Sequence, residues 1–254
     1  LAALMQAYSM SEESLYPDTN TLEYGQFGFY ANVPVGAGDI GLSYYNGHYK
    51  QVSTDLSGYI ATQAATTPSV MPGLHYDALQ VFGLDSQTAI GPFTLRAELA
   101  YNLTKDSDGT DPWVHNNSIS YLAGFDTGLP LHNMNINVQV TGNVVLKADK
   151  IKGSALESYD ADYDASGKYR NTKIVVQLKD TFNYEKIEAL VKAIYGIERK
   201  DLILMPELSY KVRDGWKAKL SGLVIHNFGD DESKSEFAGW LDNSFVQIGM
   251  NYTF

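Results

Sequence analysis

The sequence contains no cysteine, which excludes a disulfide framework, a thiolate nucleophile and a cysteine metal site. No stretch approaches 18 consecutive apolar residues, so no transmembrane helix is expected. Charged residues are scarce at 19%, below the roughly 25% usual in soluble domains. With 19 Lys and Arg against 30 Asp and Glu, the net charge of −11 argues against a nucleic-acid-binding protein, which needs a basic patch. What remains is one or two soluble domains, or a single barrel.

Alternation of apolar and polar residues at every second position dominates the chain, and this period predicts β-strands. Within 93–104, for example, Leu95 and Leu99 fall on one face and Glu98 on the other. Several such runs reach the 9–11 residues that a membrane-spanning strand needs, which exceeds the usual soluble strand. We count about twelve predicted strands, at 1–10, 21–33, 39–50, 76–89, 93–104, 117–128, 134–147, 170–181, 185–198, 202–213, 216–228 and 242–254.

The predicted connections sort by length. Counted back from Phe254, one set of alternate connections is short, and Asp214-Gly215 is typical of a two-residue hairpin turn. The other set is long with one exception, as in outer-membrane barrels with short periplasmic turns and long outer loops. The segment 184–197 also fits a helix, but we favour a strand because a helix would break this order. No boundary divides 1–254, so we expect one domain.

The last eleven residues, Ser244-Phe-Val-Gln-Ile-Gly-Met-Asn-Tyr-Thr-Phe254, end in an aromatic residue and carry apolar residues at every second position before it. This stretch resembles the terminal signal of Gram-negative bacterial outer-membrane β-barrels, and the hairpins after Phe93 are similar to porin-like barrels. The resemblance implies an antiparallel up-and-down transmembrane barrel in the outer membrane, in contact with its lipid and lipopolysaccharide. It also implies recognition by the barrel-assembly machinery, and it allows a homo-oligomer. The matching signal positions are Val246, Ile248, Met250, Tyr252 and Phe254.

In such a barrel the apolar set faces lipid and the polar set faces the lumen. Aromatic residues near strand ends fit the interfacial belts of membrane proteins. These residues are Tyr44, Tyr45, Tyr101, Trp113, Trp216 and Tyr252.

Acidic and basic residues fall in different parts of this predicted topology. The long outward segments 1–20, 50–75, 104–116, 148–169 and 229–241 hold sixteen acidic and six basic residues, which leaves −10 of the net charge there. The inward faces of the strands are mildly basic. One hypothesis is a lumen that favours small polar or anionic solutes; the alternative is that these charges pair across strands. The predicted lumen-lining residues are Arg96, Glu98, Lys173, Lys179, Glu188, Lys192, Glu207, Lys211, Arg213, Lys217 and Lys219.

The acidic loops resemble calcium loops only in part. Asp160-Ala-Asp-Tyr-Asp164 has Ala165 where the turn glycine belongs, and Asp106-Ser-Asp-Gly-Thr-Asp111 is similarly incomplete, so we favour solvated loops over calcium sites. We predict no metal and no cofactor. His48, His75, His115 and His226 fall near the outer rim, but no catalytic motif accompanies them. We therefore do not expect an enzyme.

The function predicted from the sequence is an outer-membrane porin, a channel for passive diffusion of small polar solutes. The alternatives are a non-transporting barrel such as an adhesin or structural protein, an outer-membrane enzyme, and a soluble β-sandwich binding module. Leu1 is not an initiator methionine and no signal peptide precedes it, so we expect a processed or truncated chain. Twelve strands would then form either a complete narrow barrel or part of a larger one.

Overall fold

The computed structural model describes residues 16–62 and 73–253. Eleven strands form one antiparallel sheet in which each strand is hydrogen-bonded to its neighbours in chain order, except that β3 and β4 form a separate hairpin between β2 and β5. The strands are β1 Phe27–Val35, β2 Gly38–His48, β3 Ser53–Asp55, β4 Gly73–His75, β5 Ala78–Ile90, β6 Phe93–Leu103, β7 Ser118–Gly128, β8 Asn135–Val145, β9 Arg170–Phe182, β10 Ile187–Gly196, β11 Asp201–Arg213, β12 Trp216–Asn227 and β13 Phe245–Tyr252. The only α-helices in the described ranges are the short α1 Ser57–Thr62 and α2 Ala148–Ile151.

This architecture confirms the prediction of an all-β, antiparallel, up-and-down sheet. Eleven of the twelve predicted strands are present, and the twelfth, 1–10, lies outside the described residues. The ambiguous segment 184–197 forms strand β10, so the helix alternative is wrong. The hairpin of β3 and β4 was not predicted and lies within 51–75, which was expected to be a loop. The described sheet is open, because β1 and β13 are its edges and are not paired with each other.

The connections divide by length as expected. At one end of the sheet, the short-turn end, the connections are 36–37, 91–92, 129–134, 183–186 and 214–215. At the other, the long-loop end, they are 49–77, 104–117, 146–169, 228–244 and the short 197–200. In the 214–215 turn only Gly215 has a positive φ, of 79°, and the register shifts between Lys211 and Arg213. The predicted two-residue connection is therefore present, with Arg213 opposite Trp216, and a β-bulge at Val212 of β11 precedes it.

The two faces of the sheet differ in chemistry, and no ordinary hydrophobic core lies between layers. Within the described ranges the buried hydrophobic residues are Ile151, Tyr169 and Ile225 alone. The apolar face, defined by the alternate strand residues that include Leu84, Leu99 and Leu220, is open: Leu99 is 50% exposed. Monomeric soluble proteins rarely leave so broad an apolar surface uncovered.

Aromatic side chains lie near both ends of the apolar face. At the long-loop end the ring of Tyr44 is 5.1 Å from that of Phe82, and at the short-turn end Trp216 lies 4.9 Å from Tyr252. Tyr45, next to Tyr44 along β2, lies on the opposite face together with Ser43, and its hydroxyl donates a hydrogen bond to the side chain of Gln26. None of the helices in the described ranges has the length and apolarity needed to cross a membrane.

Candidate functional site

The polar face of the sheet is defined by the strand residues that alternate with the apolar face, including Glu98, Ser120 and Lys173. The cross-strand register aligns Glu98 with Leu122, Leu122 with Thr141, and Thr141 with Lys173, so these positions form one row across four strands. Ten of the eleven predicted lumen-lining residues fall on this face by register, and Arg213 stands at its short-turn rim beside the bulge. The structure therefore brings the predicted residues together on one surface.

Most charges on the polar face are in ion pairs. Three of these pairs cross neighbouring strands, at 2.6 Å for Arg96–Asp126, 2.8 Å for Lys179–Glu188 and 2.6 Å for Lys219–Glu207, and Lys173 pairs at 2.7 Å with Glu236 of the 228–244 connection. Lys192 and Glu98 have no ion-pair partner within the described residues. Cross-strand pairing, the alternative to an anion-selective lumen, thus accounts for much of the charge.

The remaining charge is unevenly distributed over the polar face. On β5 and β6 the carboxylates Asp85 and Glu98 are direct cross-strand partners, and the hydroxyl of Tyr30 donates to Asp85 at 3.2 Å. On β9 to β12 the polar face instead carries lysines, among them Lys211 opposite Lys217. Like charges directly opposite each other destabilise a sheet. The opposed carboxylates and the opposed lysines therefore each cost stability unless another group balances their charge.

Two long-loop connections fold onto the polar face. In the 228–244 connection the hydroxyl of Ser235 donates to the buried carboxylate of Asp201 at 2.5 Å, and the amide of Glu236 donates to it at 2.9 Å. This anchor brings Glu236 to Lys173 and to the Asn171 amide, 3.2 Å away. The loop thereby narrows the space above β9 to β12.

The second such connection, 146–169, closes a polar cavity of about 580 Å³ at the long-loop end. Amides and hydroxyls line its floor: Asn102 donates to Ser118 at 3.0 Å, and Asn143 donates to Ser120 at 3.1 Å. Both arginines of the lining are in ion pairs, Arg199 with Asp164 at 3.1 Å and Arg170 with Glu198 at 3.0 Å, so their charges are neutralised within the protein. The cavity offers hydrogen-bonding groups of both kinds to a polar solute.

A cluster of Asp77, His115, His75 and Ser53 joins the β3–β4 hairpin to the 104–117 connection. Asp77 Oδ2 accepts from Ser53 Oγ at 2.8 Å and from the His115 amide at 3.0 Å, and it lies 2.5 Å from His115 Nδ1. His75 Nε2 lies 2.9 Å from Asp77 Oδ1, without hydrogen-bond alignment. The Tyr49 ring stacks on the His115 imidazole with centroids 4.3 Å apart.

Electrostatics favour an ion pair in this cluster. Burial opposes the imidazolium form of His115, but the hydrogen bond to Asp77 and the charge of Asp162 raise its pKa overall. Burial likewise opposes the Asp77 carboxylate, yet the hydrogen bonds from His115 and Ser53 hold the pKa of Asp77 below its usual range. Burial and the neighbouring charge of Asp162 raise the pKa of Asp160 to about 6. The long-loop end therefore contains an ion pair of Asp77 with His115 and a carboxyl group, that of Asp160, whose pKa lies near 6.

The cluster does not have the geometry of a catalytic triad. Ser53 Oγ lies 3.3 Å from His115 Nδ1, the same nitrogen that faces Asp77, whereas a triad places nucleophile and carboxylate on opposite ring nitrogens. Ser53 is also 5% exposed, which leaves a substrate no access. These contacts instead fix the hairpin to the loop.

The acidic loops use their carboxylates as turn caps. Asp106 accepts from the amides of Gly109 and Asp111, and Asp164 accepts from Ser166 and Tyr169. No cluster of three potential ligands placed to hold a metal ion occurs in the part of the chain that the structure describes.

Four residues of the predicted assembly signal lie on β13, at the open edge of the sheet. Val246, Ile248, Met250 and Tyr252 project on the apolar face and are all more than half exposed, while Phe254 lies outside the described residues.

The search of protein-family models finds none that matches this chain, and the search of curated proteins likewise yields no match.

Proposed function

We propose that this chain forms all or part of a β-barrel in a bacterial outer membrane and acts as a channel for small polar solutes. The observation that carries the proposal is the pairing of an exposed apolar face with a charged, loop-covered polar face on one continuous sheet. In water that arrangement leaves a large apolar surface uncovered, whereas in a bilayer lipid covers it. Lipid and lipopolysaccharide would contact the apolar face, and the barrel-assembly machinery would read the end of β13.

Closure of the barrel follows from strand direction. With eleven strands in an antiparallel sheet, β1 and β13 both run from the long-loop end to the short-turn end. They could pair with each other only in parallel, so an antiparallel closure needs an odd number of further strands. An open edge cannot face lipid because its backbone groups would lack hydrogen-bond partners. We propose that chain preceding β1 supplies these strands.

Two observations favour passage of solutes over a purely structural barrel. Charges and amides continue along the polar face, and the polar cavity of about 580 Å³ reaches the long-loop end. The loop anchored by Asp201 narrows this path and favours a slow or selective channel, or in the extreme a closed, non-transporting barrel.

Planar-bilayer recording separates these functions. The purified protein, reconstituted without other proteins, is expected to give stepwise conductance that saturates with small solutes. Extraction without detergent together with silent bilayers would overturn the proposal. Stable insertion without conductance, in both the native protein and an Asp201→Ala variant with the loop released, would leave the non-transporting barrel as the function.

A further inference from the structure

A second cavity lies at the short-turn end of the polar face, between β10, β11 and β12. It has a volume of about 310 Å³, and Lys186, Lys211, Arg213 and Lys217 line it together with only two carboxylates, Glu185 and Glu188. Trp216 also contributes to its rim, but Leu208 and Leu220 of the apolar face do not line it. Its ligand would therefore come from the aqueous side.

The cations of this cavity are poorly neutralised. Lys211 pairs at 3.1 Å with Asp214, which is fully exposed, and exposed pairs contribute little. Lys217 lies 3.9 Å from Glu188, a carboxylate that Lys179 already binds at 2.8 Å. Arg213 stacks on the Trp216 ring at 5.4 Å and has no carboxylate at ion-pair distance in the described residues.

The pairing register of β11 and β12 holds two of these positive charges next to each other. Lys211 and Lys217 are direct cross-strand partners, so their side chains leave neighbouring strands at the same height and on the same face. Two like charges in this position repel each other unless an anion lies between them. A rotation of one side chain cannot separate their Cα positions.

A buried hydroxyl provides the second, independent observation. Ser209 follows the same face of β11, is 1% exposed, and lines the cavity. Its Oγ has no hydrogen-bond partner in the described residues. Because a buried polar group without a partner is costly, an acceptor atom in the cavity would satisfy it.

We propose that this cavity binds a small oxyanion of the phosphate class. Lys211, Lys217 and Arg213 supply charge-assisted donors, and Ser209 Oγ donates a further hydrogen bond. Small oxyanions offer several acceptor oxygens within one compact charge, which matches donors that converge from two strands. The anion site would add a specific ligand to the proposed channel. It rests on the proposed function only for the route by which the anion reaches the cavity.

Titration calorimetry tests the site in a phosphate-free buffer and an uncharged detergent, with inorganic phosphate as the probe. The native protein is expected to bind phosphate, and the double variant Lys211→Gln, Lys217→Gln to bind it on the order of tenfold or more weakly. Ser209→Ala is expected to weaken binding by a smaller factor. The matched control is Lys192→Gln, which removes one lysine from the same face outside this cavity and should leave binding unchanged.

No heat with the native protein, at unchanged circular dichroism, would overturn the proposal, as would equal weakening by Lys192→Gln, which would indicate diffuse charge. Binding of vesicles that contain phosphatidylglycerol, with no binding of inorganic phosphate, would assign the site to lipid headgroups and also overturn it. Bilayer recordings keep the two proposals separate. A conductance that phosphate does not reduce would contradict the anion site and leave the channel proposal standing. Phosphate binding by a protein that shows no conductance would contradict the channel and leave the anion site standing.

Discussion

Leu99 lies near the middle of β6 on the apolar face, and replacing it by arginine distinguishes lipid from water on that face. An arginine at the bilayer midplane costs about 2–4 kcal/mol, whereas an exposed arginine in water costs less than about 0.5 kcal/mol. Since Leu99 is 50% exposed, losing its remaining contacts adds about 1 kcal/mol in either environment. Leu99→Arg is therefore expected to destabilise the protein by about 3–5 kcal/mol in a membrane and by about 1 kcal/mol in water.

The assay is urea unfolding from phospholipid vesicles, followed by tryptophan fluorescence. Leu99→Ala measures the packing loss alone, and Ala100→Arg places the same charge on the polar face one residue away. We expect Leu99→Arg to be about 2–4 kcal/mol less stable than Leu99→Ala. We expect Ala100→Arg to differ from the native protein by less than about 1 kcal/mol. Equal stability of Leu99→Arg and Leu99→Ala would refute the reasoning.

Three further predictions follow from the loops and turns. Asp77→Asn removes the ion pair with His115 and should cost about 1–3 kcal/mol locally, seen as faster amide exchange at His115. In the native protein that protection should be lost as pH rises through the raised pKa of His115, and also as pH falls through the lowered pKa of Asp77; a flat profile would contradict the pairing. Asp201→Ala releases the 228–244 loop and should increase trypsin cleavage after Lys234 and raise the conductance, whereas unchanged cleavage would show that the loop has other anchors. Tyr184, 97% exposed at φ +54°, should be replaceable by glycine with a gain of about 1 kcal/mol in urea unfolding, and a loss would indicate a contact of its ring with the membrane interface.

The strands were predictable where both faces kept their chemistry over many residues. β6 and β13 alternate along their whole length, and the turn glycine Gly215 marks its hairpin in the sequence. The hairpin of β3 and β4 was missed because strands of three residues are too short to display a period. The order of loop lengths decided β10 correctly where periodicity alone could not.

The sequence predicts which face of the sheet a residue lies on better than it predicts which residues that residue contacts. Alternation assigns Lys211 and Lys217 to the polar side, but only the register, shifted at the bulge, makes them direct partners. Asp77 and His115 come together across distant segments, and the short spacing of His75 and Asp77 was the sole local signal of that cluster. The anchoring of a loop by Asp201 depends on how the loop packs, which no sequence period records.

The most direct test of membrane insertion is a labelling scan along β5. Because the chain has no cysteine, single cysteines at 82–86 can each carry one fluorophore in vesicles that contain brominated lipid. By register, positions 82, 84 and 86 lie on the apolar face, and 83 and 85 lie on the polar face. If the apolar face contacts lipid, quenching should therefore alternate with a period of two, and the decisive comparison is 82 and 84 against 83 and 85. Strong quenching at 82 and 84 with little at 83 and 85 is the expected result. Uniform quenching, or none at any position, would contradict a membrane-spanning sheet.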